Sequence, residues 1–118
     1  MDPWRALDDL QELSTEIETA LILGADGGVL ASTVGDAERS REIGRITRAL
    51  LATADDVRHR PELAVAQLEI ALRAGSVFVV REGERAIVAT TGPEPTTGLV
   101  LYDLSACLRS LEEDAAEA

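Results

Sequence analysis

Apolar side chains recur along this chain with two periods. Trp4, Leu7, Leu10 and Leu13 fall every three residues, the spacing of one helical face, and Asp2 followed by Pro3 supplies an N-cap and a first-turn proline. That helix is expected to end near Ser14. The run Ala20 to Ser32, ALILGADGGVLAS, reads as two short strands around an Asp-Gly turn. With Asp26 and Gly27 as the loop of a type I′ turn, Leu23 stands opposite Leu30 and Ile22 opposite Ala31. The two pairs point to opposite faces and both are apolar, so the hairpin is expected at the centre of a sheet covered by helices on both sides.

Asp36 is a second N-cap candidate. Ile43, Ile46, Leu50, Ala54 and Val57 follow it at helical spacing, giving a long helix over about residues 37 to 57. Gly44 lies inside that helix, where glycine costs up to about 1 kcal/mol relative to alanine. It marks either the close approach of another backbone or a tolerated helical glycine. His59, Arg60 and Pro61 read as a loop. Leu68, Ile70 and Leu72 then alternate with Gln67, Glu69 and Arg73, the pattern of a half-exposed strand suited to a sheet edge.

Ser76 to Arg81 and Ala86 to Thr91 form a second hairpin. With Gly83 and Glu84 as its loop, Val80 meets Ile87, Val79 meets Val88, Phe78 meets Ala89, and Glu82 faces Arg85 as a charge pair. Thr96 or Thr97 can cap a last helix whose stripe is Val100, Leu101, Leu104, Cys107, Leu108 and Leu111. The acidic tail, residues 112–118, is expected to fray because the helix macrodipole disfavours acids at a C-terminus. The element order is helix, strand, strand, helix, strand, strand, strand, helix. This is an α+β arrangement, a single five-stranded antiparallel sheet with helices on both faces, and residues 1–118 are expected to make one domain.

Composition narrows the function. Of 118 residues 46% are hydrophobic, but only 3% are aromatic, so stacking platforms for bases or sugars are scarce. Eleven arginines and no lysine stand against 22 acids, a formal charge of −11 that argues against a nucleic-acid partner. A single Cys and a single His provide neither a disulfide nor a sequence-spaced zinc site, and no apolar run reaches membrane-spanning length. No metal, cofactor, membrane or nucleic-acid partner is expected, and a reducing cytoplasm is the expected location. The lysine-free, Ala- and Arg-rich composition points to a GC-rich bacterial genome.

Catalytic chemistry finds no foothold in the sequence. Without lysine there is no P-loop of the G-x-x-x-x-G-K-[ST] type and no Schiff-base amine. Gly24, Gly27 and Gly28 lead into a strand, so they are turn residues and not a dinucleotide cradle. His59 sits between Arg58 and Arg60 in a polar loop, and Cys107 falls on an apolar stripe as a small buried hydrophobe. Asp8 with Asp9, and Glu112 with Glu113, are neighbours in sequence and diverge around a helix, so neither pair makes a carboxylate dyad. The chain is expected not to be an enzyme.

ALILGADGGVLAS, the arginine-bearing helix after it, LRAGSVFVV (Leu72 to Val80) and TGPEPTTGLVLYDL (Thr91 to Leu104) together resemble the roadblock (dynein light-chain) domain, in the form bacteria use beside small Ras-like GTPases. The resemblance runs from about Trp4 to Leu111 and rests on the order and spacing of degenerate motifs. It implies a homodimer in which third strands pair edge to edge and second helices pack side by side. It also implies a non-enzymatic module that binds and modulates a small Ras-like GTPase. The alternatives are a dimeric scaffold or adaptor without effect on GTP hydrolysis, and a small-ligand sensory domain, for which pocket-lining aromatics are lacking.

Charge is segregated by helix. Arg39, Arg41, Arg45 and Arg48 crowd the second helix, whereas Met1 to Glu18 carries six acids and one Arg. The dimer that the resemblance implies and the arginine row together give the expected dimer or partner interface, Arg41, Gly44, Arg45 and Arg48 on the second helix with Glu69, Ala71 and Arg73 on the third strand. The simpler alternative is that the arginines are solvated or paired at helical spacing with Glu38 and Glu42.

Overall fold

A computed structural model describes residues 2–57 and 66–117. His59, with Arg58, Arg60 and Pro61, lies outside the described residues. The elements are α1 (Pro3–Leu13), β1 (Ile17–Leu23), β2 (Val29–Ser32), α2 (Ala37–Asp56), β3 (Gln67–Leu72), β4 (Gly75–Glu82), β5 (Arg85–Thr91) and α3 (Thr97–Glu117), the order expected from the sequence. All neighbouring strands are antiparallel in one sheet of order β2-β1-β5-β4-β3.

The capping signals act as written. Asp2 Oδ1 accepts the Arg5 N–H at 3.0 Å, and Asp36 Oδ1 accepts those of Glu38 and Arg39 at 3.0 and 3.2 Å. Thr96 is the residue before α3, its carbonyl taking the Val100 N–H at 3.0 Å. α3 itself runs from Thr97 to Glu117.

The face of α1 is narrower than its three-residue repeat suggests. Ala6, Leu7 and Leu10 are buried, but Trp4 and Leu13 are 60% and 70% exposed. A strict three-residue spacing slips by about 60° per step around a helix of 3.6 residues per turn.

The first hairpin departs from expectation in two ways. It is not central: β5 occupies the middle, between β1 and β4, and β2 is an edge. Its loop has three residues. The Gly27 N–H reaches the Gly24 carbonyl at 3.0 Å and the Gly24 N–H reaches that of Gly28 at 2.9 Å, while Gly27 alone takes positive φ (82°). That is a type I turn closed by a left-handed glycine, and Asp26 is spared the positive φ a type I′ turn would demand. Leu23 consequently pairs with Val29 and not with Leu30, although Ile22 still pairs with Ala31. The bulge between them absorbs the extra residue. In the β4–β5 hairpin every expected pair is present, from Glu82 opposite Arg85 to Phe78 opposite Ala89.

The two faces of β1, β4 and β5 are covered separately, as their apolar character requires. One core joins α1 and α3 to Ile22, Phe78, Val80 and Ile87; the other joins Leu51 of α2 to Leu21, Leu23, Val79 and Val88. Arg81 on β4 ties to Asp55 near the end of α2 at 2.7 Å. No helix among the described residues is long and apolar enough to cross a membrane.

Candidate functional site

The second helix turns an unexpected side to the sheet. Its buried residues are Ser40, Gly44, Thr47 and Leu51, a row of small or polar side chains spaced four, three and four apart. Their polar groups are satisfied: Ser40 Oγ and Ser32 Oγ are 2.9 Å apart, and Thr47 Oγ1 donates to the Ile43 carbonyl at 2.8 Å. The centre of this row sits about 90–100° from the centre of each of two flanks on the helical wheel.

On one flank the apolar positions Ile43, Ile46, Leu50, Ala54 and Val57 are left partly open. Ile46 is 56% exposed and Val57 75%. On the other flank Arg41, Arg45 and Arg48 are exposed and line a shallow groove of about 290 Å³ with Asp26, Gly27, Gly28 and Val29 of the first hairpin. Arg48 Nη1 donates to the Ala25 carbonyl at 3.0 Å. No ion pair within 4.0 Å joins Arg41, Arg45 or Arg48 to a described residue, so the pairing with Glu38 and Glu42 allowed by their spacing does not form.

Gly44 answers the choice between a close approach and a tolerated glycine. A Cβ there would meet the Gly27 carbonyl oxygen at 3.0 Å and Leu23 Cδ2 at 3.2 Å. Another backbone does come close, but it is the chain's own hairpin. Gly44 is buried within the subunit, facing Gly27, Leu23 and Val29.

Glu69 and Ala71 are exposed on β3, the sheet edge opposite to β2, and Arg73 is exposed in the turn after it. The Arg81 N–H donates to the Ala66 carbonyl at 2.8 Å, and the register continues Gln67 to Val80 and Glu69 to Phe78. Antiparallel ladders alternate, so the N–H and C=O groups of Gln67, Glu69 and Ala71 point away from β4 to the open edge. The Glu69 side chain accepts a hydrogen bond from Thr97 Oγ1 at 2.9 Å. The expected interface residues thus fall into two groups, an arginine groove beside the first hairpin and a strand edge at the far side of the sheet.

The exposed apolar flank of α2, on the sheet face where Ile43, Leu68 and Val77 pack against one core, escapes a reading of periodicity alone. Its signal is present in the sequence as the Ser40, Gly44, Thr47, Leu51 row, which competes with the apolar row for the inward position.

The Cys107 thiol is 8% exposed, with Sγ 3.7 Å from the Ala6 carbonyl. Burial, with the Asp9 carboxylate second, pushes its pKa up from 9.0 to about 11, which keeps it protonated and unreactive at neutral pH.

No protein-family model and no curated protein sequence matches this chain. Solved structures do match it along its length. A Roadblock/LC7 domain from Streptomyces avermitilis superposes with a TM-score of 0.85 at 16% identity, covering 98% of this chain and 99% of that one. The gliding protein MglB from Thermus thermophilus gives 0.76 at 19% identity, over 98% and 93% of the two chains. Myxococcus xanthus MglB gives 0.74 at 12% identity, over 98% and 92%. Likeness of this extent at such low identity is a statement about architecture: the chain has the fold of a Roadblock/LC7 domain.

Proposed function

We propose that this protein is a non-enzymatic homodimeric module, acting in the cytoplasm, that binds and modulates a small Ras-like GTPase. The observation that carries the reading is the pairing of two uncovered features on one sheet face. The apolar flank of α2 is left partly open, with Ile46 56% exposed, and β3 beside it offers unpaired backbone groups with Leu68 and Ile70 half-buried. A second copy covers both at once, strand edge to strand edge and helix beside helix.

The charges on β3 favour one register for that pairing. A twofold axis at Glu69 would set two carboxylates opposite each other. An axis at Ala71 sets Glu69 of each copy opposite Arg73 of the other, a favourable cross-strand pair.

The arginine groove is then left for the partner. Arg41 and Arg45 project guanidinium groups with no ion-pair partner among the described residues, an electrostatic match for an acidic patch on a GTPase. Arg48, held by the Ala25 carbonyl, is the less available of the three. The family resemblance of the sequence and the architecture shared with the MglB structures support the same partner class.

Sedimentation tests the dimer: the wild type is expected to sediment as a dimer at micromolar concentration, and Ile46→Asp as a folded monomer. A wild-type monomer would sink this part of the reading. GTP hydrolysis and nucleotide exchange by a small Ras-like GTPase, with and without the protein, test the rest. Arg41→Glu with Arg45→Glu is expected to abolish the effect while leaving the dimer intact. Binding that changes neither rate would make the protein a scaffold.

A further inference from the structure

The sheet face away from α2 carries a second feature, in the groove between α1 and α3. We propose that this groove is a docking site for a helix of a partner protein that inserts one arginine or lysine side chain between Asp9 and Asp103.

The groove measures about 180 Å³ and is lined chiefly by Ala6, Leu10, Leu13 and Cys107 together with these two carboxylates. It is smaller than the 300–1,000 Å³ that ligand pockets usually offer, and is of a size for one long side chain. Asp103 is only 5% exposed, yet no described residue donates a hydrogen bond to it and no cation lies within ion-pair distance. Its oxygens are not sealed in, because no fully buried side-chain oxygen among the described residues lacks a partner. They open into the groove that Asp103 lines.

A cation entering the groove would give the Asp103 carboxylate the charged donor that no described residue supplies. Arginine and lysine match it in both parts, with an apolar stem for Leu10 and Leu13 and a charged head for the carboxylates. Leu13, on the groove's lining, is 70% exposed, and Leu99 beyond it is 52% exposed. Leu99 lies one helical turn before Asp103 on α3, so the apolar rim extends along the helix as an amphipathic partner helix would need. This surface lies across the sheet from α2 and is independent of the GTPase reading.

A nuclear magnetic resonance titration with n-butylguanidinium, the arginine side chain in isolation, tests the cation subsite. Saturable shifts are expected at Asp9, Asp103 and Cys107, exceeding those at the solvent-facing Asp8 and Glu12. Asp103→Asn is expected to weaken binding about tenfold or more, the loss of a charge-assisted hydrogen bond. Asp9→Asn serves the same purpose should the α3 variant not fold. Equal shifts at Asp8 and Glu12, indifference to both variants, or the same response to neutral n-pentanol would overturn the proposal.

Saturation of the same residues by magnesium would overturn it in favour of a metal site, and a change of oligomeric state in Asp103→Asn in favour of a second copy. Finally, an amphipathic leucine-alanine peptide with one central arginine is expected to displace bound n-butylguanidinium, and its norleucine counterpart is not. A peptide that leaves the probe in place would rule out helix docking.

Discussion

The two faces of the sheet carry similar apolar strands but are closed to different degrees. Beneath α1 and α3, Leu7, Ile22, Phe78, Ile87, Val100, Leu104 and Leu108 are all at 2% exposure or less. Beneath α2 the helix contributes one large apolar side chain to the core, Leu51, beside a glycine, a serine and a threonine, while Leu68, Ile70 and Val77 stay half-buried. Two helices fill one face; a single helix lying on its small-residue row leaves the other open along β3. The difference is between a core closed over its whole width and one left partly open along β3.

The largest effect should come from breaking the closed face. Phe78→Ala removes a ring with no exposure from the centre of that core and is expected to cost about 3–5 kcal/mol in denaturant unfolding. A loss below about 1 kcal/mol would mean that this face is no better packed than the other.

A somewhat smaller effect is expected from pH. The Cys107 thiol is raised from 9.0 to about 11, so between these values the unfolded chain gives up a proton that the folded chain keeps. Stability is therefore present in full below pH 9 and declines towards pH 11, by about 2–3 kcal/mol for a shift of this size. Comparison with Cys107→Ala isolates it: the variant should lack this share of the alkaline decline.

Smaller again is Gly44→Ala, which probes the open face where α2 touches the hairpin. In an exposed helix this change gains up to about 1 kcal/mol. Here the new methyl meets the Gly27 carbonyl at 3.0 Å, and a net loss of about 1–2 kcal/mol is expected in thermal unfolding. A gain would show that the hairpin yields easily and that α2 is loosely seated.

Much of the fold was legible because its signals are local. Asp2 and Asp36 cap their helices through side chains two or three residues away, and the β4–β5 register follows from a two-residue loop between alternating strands. The first hairpin was harder. Its three glycines allow more than one loop, and in the one that forms only Gly27 takes positive φ.

The candidate site was legible in part. The arginines and the β3 edge are visible as pattern, but Gly44 points by pattern to a partner when its neighbour is Gly27 of the same chain. Sequence spacing reveals that a backbone comes close without revealing whose.

What the sequence determined by itself is the list of elements, their caps and the need to cover both faces of the sheet, because periodicity and capping act over a few residues. Tertiary structure alone decided which row of α2 turns inward. Two rows, Ser40-Gly44-Thr47-Leu51 and Ile43-Ile46-Leu50-Ala54-Val57, competed for the same position, and the more apolar one lost. The close seat of the helix on the hairpin admits only small side chains, and the loser is left at the surface. The same holds for Asp103, which reads in the sequence as an ordinary helical acid until packing brings α1 beside it and leaves its carboxylate in a groove.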